Sequence, residues 1–290
     1  MPQVAVVTDS TANLPPEMAA ARDVTVVPLY VVFGPDRTER ESDITDYPAF
    51  FEELRGSESL PSTSQPSVGD FMSAYQPLLA DGLDIVSIHI SAGLSGTYDS
   101  AVQAAEQLAR DGEGGERIQV IDSETVAGAL GLVVLGACAA AARDGATHAS
   151  VEEHTRATRA ELKMWFAVDT LEFLKRGGRI GAASAWIGST LRIKPILTVE
   201  SELTPVERVR TSSRAFERLV EYARRRHESG ADAWVVQHIA AEDEARRLAE
   251  RCTEVFGRGP EFVSEIGPVV GTHAGPGLLG IGSVPTRMLE

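Results

Sequence analysis

The chain has 290 residues and a formal net charge of −15 at pH 7, with 43% hydrophobic and 24% charged side chains. This composition is typical of a folded globular protein, and the length predicts two domains. The acidic excess argues against nucleic acid or an anionic membrane surface as a partner, because affinity for phosphate groups depends on basic side chains.

The cysteine, histidine and N-terminal patterns bear on location and metal binding. Cys138 and Cys252 are the only cysteines, and the six histidines form no cluster with ligand spacing. We therefore expect neither a disulfide framework nor a metal site. The N-terminus passes at once into the apolar segment Val4–Val7. Because this segment lacks the features of a signal peptide, we expect a cytoplasmic protein with no integral membrane segment.

The first half of the chain alternates short apolar segments with helical patterns. The predicted strands are Val4–Thr8, Val24–Leu29, Ile85–Ile90 and Ile118–Ile121. The predicted helices are Pro15–Arg22, Phe71–Leu79, Tyr98–Ala109 and an alanine-rich helix after Thr125. Alternation of this kind, with strands rich in valine and isoleucine, is typical of a parallel sheet covered by helices on both faces. The sequence therefore predicts an α/β fold with a doubly wound first domain.

Two segments depart from this alternation. Thr125–Ala142 is uncharged over 18 residues, the length at which a membrane helix is considered. Because alanine and glycine dominate it, and the charged turn Arg143–Gly145 follows, we interpret it as a buried, tightly packed helix. The second segment, Gly34–Ser59, is polar and interrupted by prolines. It predicts a lid-like excursion with one short helix around Tyr47–Leu54.

The pattern changes near residue 165, where we place the boundary between a domain of residues 1–165 and one of residues 166–290. The second part has predicted strands at Trp165–Val168, Ile196–Val199, Val206–Arg210 and Trp234–Ile239. Its predicted helices are Ala182–Thr190, Ser213–Glu228 and Asp243–Phe256, followed by two apolar segments that end at Ile281. This mixture predicts a smaller α+β domain with a mixed or antiparallel sheet.

Two segments rich in hydroxyl groups precede predicted helices. Pro61–Ser67 holds four hydroxyl side chains, and Ser67–Asp70 has the spacing of a capping box. The second segment, Ser91–Tyr98, also joins a strand to a helix. Helix N-termini and hydroxyl donors both favour an anion, so the two segments together could bind one carboxylate. The alternative, that both segments only cap helices, stays open.

The main alternative from another class is an enzyme, either a Ser-dependent acyl hydrolase or a phosphotransferase with its own ATP. A third possibility is a purely structural interaction protein. The motif Gly93–Gly96 is one residue short of a nucleophile elbow. A Ser-dependent acyl hydrolase would use Ser95 and His273, but sequence spacing singles out no acidic partner for the histidine. The candidate partners are Asp9, Asp122 and Asp169.

Nucleotide-binding motifs give little support for an enzyme. Gly275–Gly280 matches the dinucleotide fingerprint, but only ten residues follow it, too few for a strand-helix-strand unit. We interpret these glycines as a turn that lets His273 approach a ligand. The sequence contains no Walker A motif. We therefore expect neither a nucleotide cofactor nor bound ATP in this chain.

The local charge reverses between Lys175 and Arg214, where basic residues exceed acidic ones by five. The basic residues are Lys175, Arg176, Arg179, Arg192, Lys194, Arg208, Arg210 and Arg214, and the acidic ones are Glu200, Glu202 and Glu207. In an acidic protein such a reversal could form a docking face for a partner, although a solvated basic surface gives the same pattern.

Several motifs, in this order along the whole chain, resemble those of the DegV family. They are Val7–Thr11, Thr63–Ser67, Ile90–Tyr98, Val120–Ser123, Leu174–Ile180, Ile193–Leu197 and His273–Gly277. The resemblance implies a Rossmann-like N-terminal domain, a smaller α+β C-terminal domain and one enclosed long-chain, palmitate-like fatty acid. It also implies a lipid-binding subunit, itself without catalytic residues, that presents the acyl carboxylate to a separate ATP-dependent fatty acid kinase subunit for phospholipid synthesis.

The resemblance also assigns residues to the site. The carboxylate-binding hydroxyls of the family correspond to Thr63 and Ser95, and its glycine-flanked histidine corresponds to His273. Further candidate contacts to the head group are Ser64, Gly96, Thr97 and Gly275. The candidate docking residues for a kinase subunit are Arg176, Arg179, Arg208 and Arg210.

Overall fold

The structure is a computed structural model that describes residues 3–56, 60–186 and 193–290. The strands are β1 (Val4–Asp9), β2 (Thr25–Val27), β3 (Tyr30–Gly34), β4 (Arg37–Arg40), β5 (Ser62–Ser64), β6 (Asp84–His89), β7 (Ile118–Asp122), β8 (Lys163–Ala167), β9 (Lys194–Glu200), β10 (Glu202–Val209), β11 (Ala233–His238), β12 (Phe262–Glu265) and β13 (Leu279–Val284). The helices are α1 (Pro16–Ala20), α2 (Tyr47–Gly56), α3 (Val68–Ala80), α4 (Thr97–Arg110), α5 (Ala127–Ala141), α6 (His148–Glu161), α7 (Glu172–Arg176), α8 (Ser212–Glu228), α9 (Glu242–Phe256) and α10 (Pro268–Ala274).

A four-stranded parallel sheet forms the first half of the molecule, in the order β2-β1-β6-β7. The central strands β1 and β6 are almost entirely buried, as expected for apolar strands covered on both faces. Helices α3 and α4 pack against each other on one face, and α5 packs on the other. The predicted α/β fold with a parallel sheet is confirmed.

A six-stranded sheet forms the second half, in the order β10-β9-β8-β13-β11-β12. All of its pairs are antiparallel except β11 with β12, which is parallel. The sheet is therefore mixed, which is one of the two alternatives that the sequence predicts. Helices α8 and α9 cover one face and bury the Trp234 side chain completely. Of the predicted helix Ala182–Thr190, a 3₁₀ helix spans Gly181–Trp186, and the remainder lies outside the described residues.

Helix α5 lies between the two sheets, where it contacts β1 and β6 on one side and β11 and β13 on the other. Every residue of α5 except Ala139 is buried. Glycine allows such close contact, because a Cβ atom at Gly136 would lie only 2.7 Å from the Thr158 hydroxyl oxygen. The predicted buried helix is confirmed. Within the described residues, no helix is both long and apolar enough to cross a membrane.

The excursion between β2 and α3 has more structure than the sequence predicts. It contains the expected helix, α2, but it also forms an antiparallel sheet in the order β4-β3-β5. Strand β4 is polar and mostly exposed, so it has no apolar alternation from which a strand could be predicted. This sheet places Thr63 of β5 opposite Val31 of β3.

The sequence does not predict helix α10, because Pro268–Ala274 reads only as part of an apolar segment. Pro268 occupies the first turn of the helix, and Gly275 follows its end with a positive φ of 77°. A side chain at Gly271 would overlap the ring of Phe51 on α2. Tertiary packing therefore determines this short helix more than its own helix propensity does.

Candidate ligand-binding site

A cavity lies between α5, the six-stranded sheet and α10. Most of its lining is apolar, and the side chains come from widely separated parts of the chain. The apolar lining includes Leu29, Ile90, Val126, Met164, Phe166, Leu174, Val199, Leu203, Val235, Ile266, Val269 and Leu278. A largely apolar cavity with a few polar groups is typical of a small-molecule site.

A short hydrogen bond joins two predicted site residues in the cavity wall. Thr63 Oγ1 lies 2.7 Å from His273 Nε2, although the two residues are 210 positions apart in the chain. Strand β5 positions Thr63, and the last turn of α10 positions His273. Ser64 and Gln65 follow Thr63 along the same wall. Two separate parts of the chain therefore build this part of the site: the excursion, through β5, and helix α10.

His273 is neutral at pH 7. Burial lowers the pKa of its imidazole to about 4, the nearby Arg179 guanidinium adds to this lowering, and the Gly177 backbone acts in the opposite direction. Its Nδ1 atom is buried beside Gly177 but makes no hydrogen bond of good geometry with the described residues. A neutral imidazole can either donate or accept at Nε2, depending on its tautomer.

The Ser91–Thr97 loop supplies a further hydroxyl group. Ser95 lines the cavity, and its Oγ atom lies 2.9 Å from Thr97 Oγ1. Helix α4 begins at Thr97 with Gly96 as its N-cap residue, which provides no side-chain cap. A Cβ atom at Gly96 would lie 3.1 Å from the Gln65 side-chain nitrogen, so the two hydroxyl-rich segments lie against each other. The Thr97 N–H group donates to Ser95 Oγ at 3.4 Å, and the N-terminus of a helix favours an anion nearby.

Four of the seven predicted head-group residues line the cavity, and the other three lie next to residues that line it. The lining residues are Thr63, Ser64, Ser95 and His273. The other three are Gly96, Thr97 and Gly275. Thr97 is completely buried and bonds to the Ser95 hydroxyl. Gly275 ends α10 against the ring of Phe173, where a side chain would overlap that ring.

Arg179 lies at the cavity, although the sequence placed it with the docking residues. Its Nε donates to the Leu94 carbonyl at 3.2 Å, and its Nη1 donates to the Gly177 carbonyl at 2.9 Å. These bonds hold a cation next to Ser95 and His273. Sequence reasoning also missed Gln65, although it lies inside the hydroxyl-rich segment. Neither residue could be assigned without knowing which loops meet in the fold.

Arg179 is itself exposed, and so are the other docking candidates, Arg176, Arg208 and Arg210. The guanidinium of Arg208 lies 5.2 Å from the ring centroid of Trp186, a cation–π contact. Arg192, which contributes to the basic excess in the sequence, lies outside the described residues.

The carboxylates considered for a catalytic triad are engaged elsewhere. Asp9 accepts from His89 and from the Ile90 backbone, and Asp122 accepts from two backbone N–H groups. Asp169 pairs with Lys194 at 2.5 Å. Because Ser95 bonds to Thr97 and His273 bonds to Thr63, the relay that a serine hydrolase requires is not assembled among the described residues.

Metal ligands are not gathered around the cavity either. In residues 3–56, 60–186 and 193–290, no three histidine, cysteine or acidic side chains are grouped so that they could hold a metal ion. The two cysteines are free and buried, and burial raises the pKa of each thiol to about 12. The polar side chains at the cavity are therefore hydroxyl groups, the amides of Gln65 and Gln237, one neutral imidazole and one guanidinium.

Comparison with known proteins places the chain among proteins of the same architecture. A family model described as uncharacterised proteins of the DegV family matches residues 3–286. A DegV domain-containing protein of Streptomyces coelicolor is 41% identical over 281 residues, which cover 96% of this chain and 97% of the relative. Protein DegV of Bacillus subtilis is 34% identical over 282 residues, which cover 96% and 98% of the two chains.

Two solved structures superimpose on nearly the whole chain. A DegV family protein of Thermus thermophilus, described by its fatty acid binding, has a TM-score of 0.87 at 33% identity and covers 98% of this chain and 99% of its own. DegV of Bacillus subtilis, described as a fatty acid-binding protein, has a TM-score of 0.85 at 34% identity and covers 98% and 100%. The overall fold described above is therefore shared with both.

Proposed function

The chain belongs to the DegV family, and on that premise we propose that it binds one long-chain fatty acid in the cavity beside α5. The contact between Thr63 and His273 carries the proposal, because it places hydrogen-bonding groups in the wall of an otherwise apolar cavity. The fatty acid-binding neighbours of similar fold support it. A fatty acid has the matching chemistry, with one carboxylate and a long apolar chain.

The carboxylate would be held mainly by neutral donors. The hydroxyl groups of Thr63 and Ser95 can each donate a hydrogen bond to one carboxylate oxygen. His273 is uncharged at pH 7, so it would position Thr63 or donate through Nε2 without adding a buried charge. Arg179, held at the cavity by two backbone carbonyls, would partly neutralise the bound anion. The apolar walls would bury the acyl chain, which is the main favourable contribution to binding.

We further propose that the chain is a non-catalytic subunit that presents the carboxylate to a separate ATP-dependent fatty acid kinase subunit, which forms the acyl phosphate for phospholipid synthesis. The open mouth of the cavity would expose the head group to that partner. The exposed Arg176, Arg208 and Arg210 would contribute to docking, since complementary charge guides the association of two proteins. His273 would help to orient the carboxylate during transfer.

A binding titration with palmitate tests the proposed ligand. The double variant Thr63→Ala/Ser95→Ala should bind palmitate at least about 30-fold more weakly than the wild type, since each lost hydrogen bond to a charged group weakens binding by about 1–3 kcal/mol. The matched control is Ser73→Ala/Thr253→Ala, which removes two exposed hydroxyl groups outside the cavity. Equal affinity in the wild type and the double variant would show that the carboxylate binds elsewhere.

Activity assays test the proposed role. The purified chain alone should hydrolyse neither acyl esters nor ATP, and turnover of either would make it an enzyme. With a cognate kinase subunit, Arg208→Glu/Arg210→Glu should lower acyl phosphate formation while palmitate affinity stays the same. The control Arg246→Glu/Arg251→Glu makes the same charge change on α9. Normal kinase turnover with the first variant would place the docking surface elsewhere.

A further inference from the structure

Glu41 is a buried carboxyl group in the excursion that also carries Thr63. It follows strand β4, begins the 3₁₀ turn Glu41–Asp43, and is only 3% exposed. Buried glutamates are rare unless a partner compensates for their lost hydration. The contacts of this side chain therefore indicate what it does in the fold.

The Glu41 carboxyl group binds the start of helix α10. Its Oε1 atom accepts a hydrogen bond of 2.8 Å from the backbone N–H of Val269. The contact depends on the absence of a side chain at Gly267, the N-cap residue, where a Cβ atom would overlap Oε1. The Oε2 atom is buried and makes no hydrogen bond of good geometry with the described residues. A proton on this oxygen would remove the need to bury a full negative charge.

Helix α10 forms part of the cavity wall through Val269, Val270, His273 and Ala274. Three contacts from outside hold it in place. The carboxyl group of Glu41 binds its first turn, the ring of Phe51 packs on Gly271 in its middle, and the ring of Phe173 packs on Gly275 at its end. Of these three contacts, only the one from Glu41 can change its charge near neutral pH.

The surroundings of Glu41 favour its neutral form. Burial raises the pKa of its carboxyl group from 4.5 to about 7, the Ser10 hydroxyl and the Val269 amide act in the opposite direction, and the Asp9 carboxylate raises it further. Tyr47 on α2 also faces the carboxyl group, and Glu265 at the end of β12 faces Tyr47. None of these ionisable neighbours is a cation. The Val269 N–H bond by itself favours the carboxylate, but burial outweighs it, so a proton on Glu41 lowers the free-energy cost of keeping this side chain buried against α10.

Resting on the proposed function, we propose that Glu41 is a positioning residue of the fatty acid site: its protonated carboxyl group holds α10 against the cavity and keeps His273 within reach of Thr63. The sign of the pH effect follows from the raised pKa. The stabilising contribution is fully present below the pKa of about 4.5 for the exposed group, and it is lost as the pH rises through about 7. Alkaline pH should therefore loosen α10 and weaken retention of the acid.

A titration with palmitate at about pH 6 and about pH 8 tests this proposal, since these values lie on either side of the raised pKa. Wild-type affinity should fall by up to roughly tenfold more over this interval than the affinity of Glu41→Gln, because glutamine reproduces the neutral form and keeps an acceptor for the Val269 N–H group. Glu41→Ala should bind palmitate roughly tenfold more weakly than Glu41→Gln at both pH values. The matched control is Glu52→Gln, an exposed glutamate on α2. It should behave as the wild type does.

Two results would overturn the positioning role of Glu41. One is a pH dependence of Glu41→Gln equal to that of the wild type, and the other is wild-type affinity in Glu41→Ala near pH 6. Amide hydrogen exchange in the ligand-free protein gives an independent readout for Glu41→Gln. Near pH 8 the amides of Val269, Val270 and Gly271 should exchange faster in the wild type than in Glu41→Gln, and near pH 6 the two proteins should agree. Equal exchange at both pH values would also contradict the proposal.

The exchange experiment separates this proposal from the proposed function. If neither the wild type nor any variant bound palmitate at either pH, the fatty acid assignment would fail. Faster amide exchange in α10 of the wild type than of Glu41→Gln near pH 8 would still show that Glu41 stabilises the position of this helix. If palmitate bound equally well at both pH values and α10 exchanged equally in both proteins, only the role of Glu41 would be refuted.

Discussion

Two histidines in this molecule have different surroundings. His89 is completely buried at the end of β6, and both ring nitrogens are bonded, Nδ1 to Asp9 at 3.0 Å and Nε2 to the Ser87 hydroxyl at 2.7 Å. Ser87 in turn bonds to the Tyr75 hydroxyl at 2.8 Å. His273 lines the cavity, with one ring nitrogen bonded to Thr63 and the other without a well-formed hydrogen bond.

The comparison shows that residue types alone do not identify a site. Asp9, His89 and Ser87 contain every side-chain type of a catalytic triad, but they are saturated with hydrogen bonds and sealed from solvent. A saturated buried network rigidifies a fold. Hydroxyl groups and an imidazole with unused hydrogen-bonding capacity, beside an open cavity, can instead bind a ligand. Solvent access and unused hydrogen-bonding capacity therefore distinguish the cavity residues from the buried network of Asp9, His89 and Ser87.

The largest effect is expected at the saturated network. Asp9→Ala should lower the free energy of unfolding by about 3–5 kcal/mol, because each buried donor left without an acceptor costs about 1–3 kcal/mol. The substitution leaves the His89 ring and the N–H groups of Ile90 and Thr11 without their acceptor. Denaturant unfolding measures the change, with Asp243→Ala, an exposed aspartate on α9, as the control. A loss below about 1 kcal/mol would show that the network contributes little to stability.

Substitutions of Thr63 and Ser95 in the cavity wall should weaken palmitate binding more than they lower the free energy of unfolding. Thr63→Ala and Ser95→Ala should each weaken palmitate binding by about 1–3 kcal/mol, because a carboxylate would lose one hydrogen bond. Their free energies of unfolding should change much less than that of Asp9→Ala, since neither hydroxyl group is the shared acceptor of several buried donors. Titration and denaturant unfolding on the same preparations separate the two quantities. Stability losses as large as that of Asp9→Ala would make this cluster structural as well.

Substitution of His273 should affect palmitate binding and acyl phosphate formation to different extents. His273→Ala should reduce acyl phosphate formation with a kinase subunit more than it reduces palmitate affinity, because a neutral imidazole can orient the carboxylate during transfer. Kinase turnover and palmitate titration provide the two measurements. Equal losses in both would make His273 a binding contact only, and no loss in either would make it a structural residue.

The smallest effect concerns acid stability. The folded state lowers the pKa of His273 from 6.5 to about 4, so the unfolded chain binds this proton more readily. The contribution of His273 to the free energy of unfolding is therefore complete above pH 6.5, and it decreases as the pH falls towards 4. His273→Gln lacks this titration, so it should lose less stability than the wild type between about pH 7 and about pH 5.5. Equal losses on denaturant unfolding would contradict the lowered pKa.

Local sequence patterns predicted much of the fold. The alanine and glycine run predicted the buried helix α5, because small side chains allow close packing on all sides. Ser67 and Asp70 form the predicted capping box at the start of α3. Both predictions depend on neighbouring residues only, so a single sequence contains the information they need.

The parts that were missed depend on contacts between distant segments. Strand β4 is polar and pairs at an edge, and α10 is a short helix held by Phe51, Phe173 and Glu41 from other parts of the chain. The motif resemblance placed Thr63, Ser95 and His273 in one site. It did not predict that Arg179 lies at the cavity, because its partner is the Leu94 carbonyl of a distant loop.

Native mass spectrometry of the freshly purified protein tests the proposed fatty acid binding most directly. The wild type should carry one intact long-chain fatty acid per chain, identified after denaturing extraction. Thr63→Ala/Ser95→Ala should retain much less acid, and Asp9→Ala should retain it in whatever fraction of the protein stays folded. A wild-type protein that carries no acid and takes up no added palmitate would contradict fatty acid binding, as would full retention of the acid by the double variant.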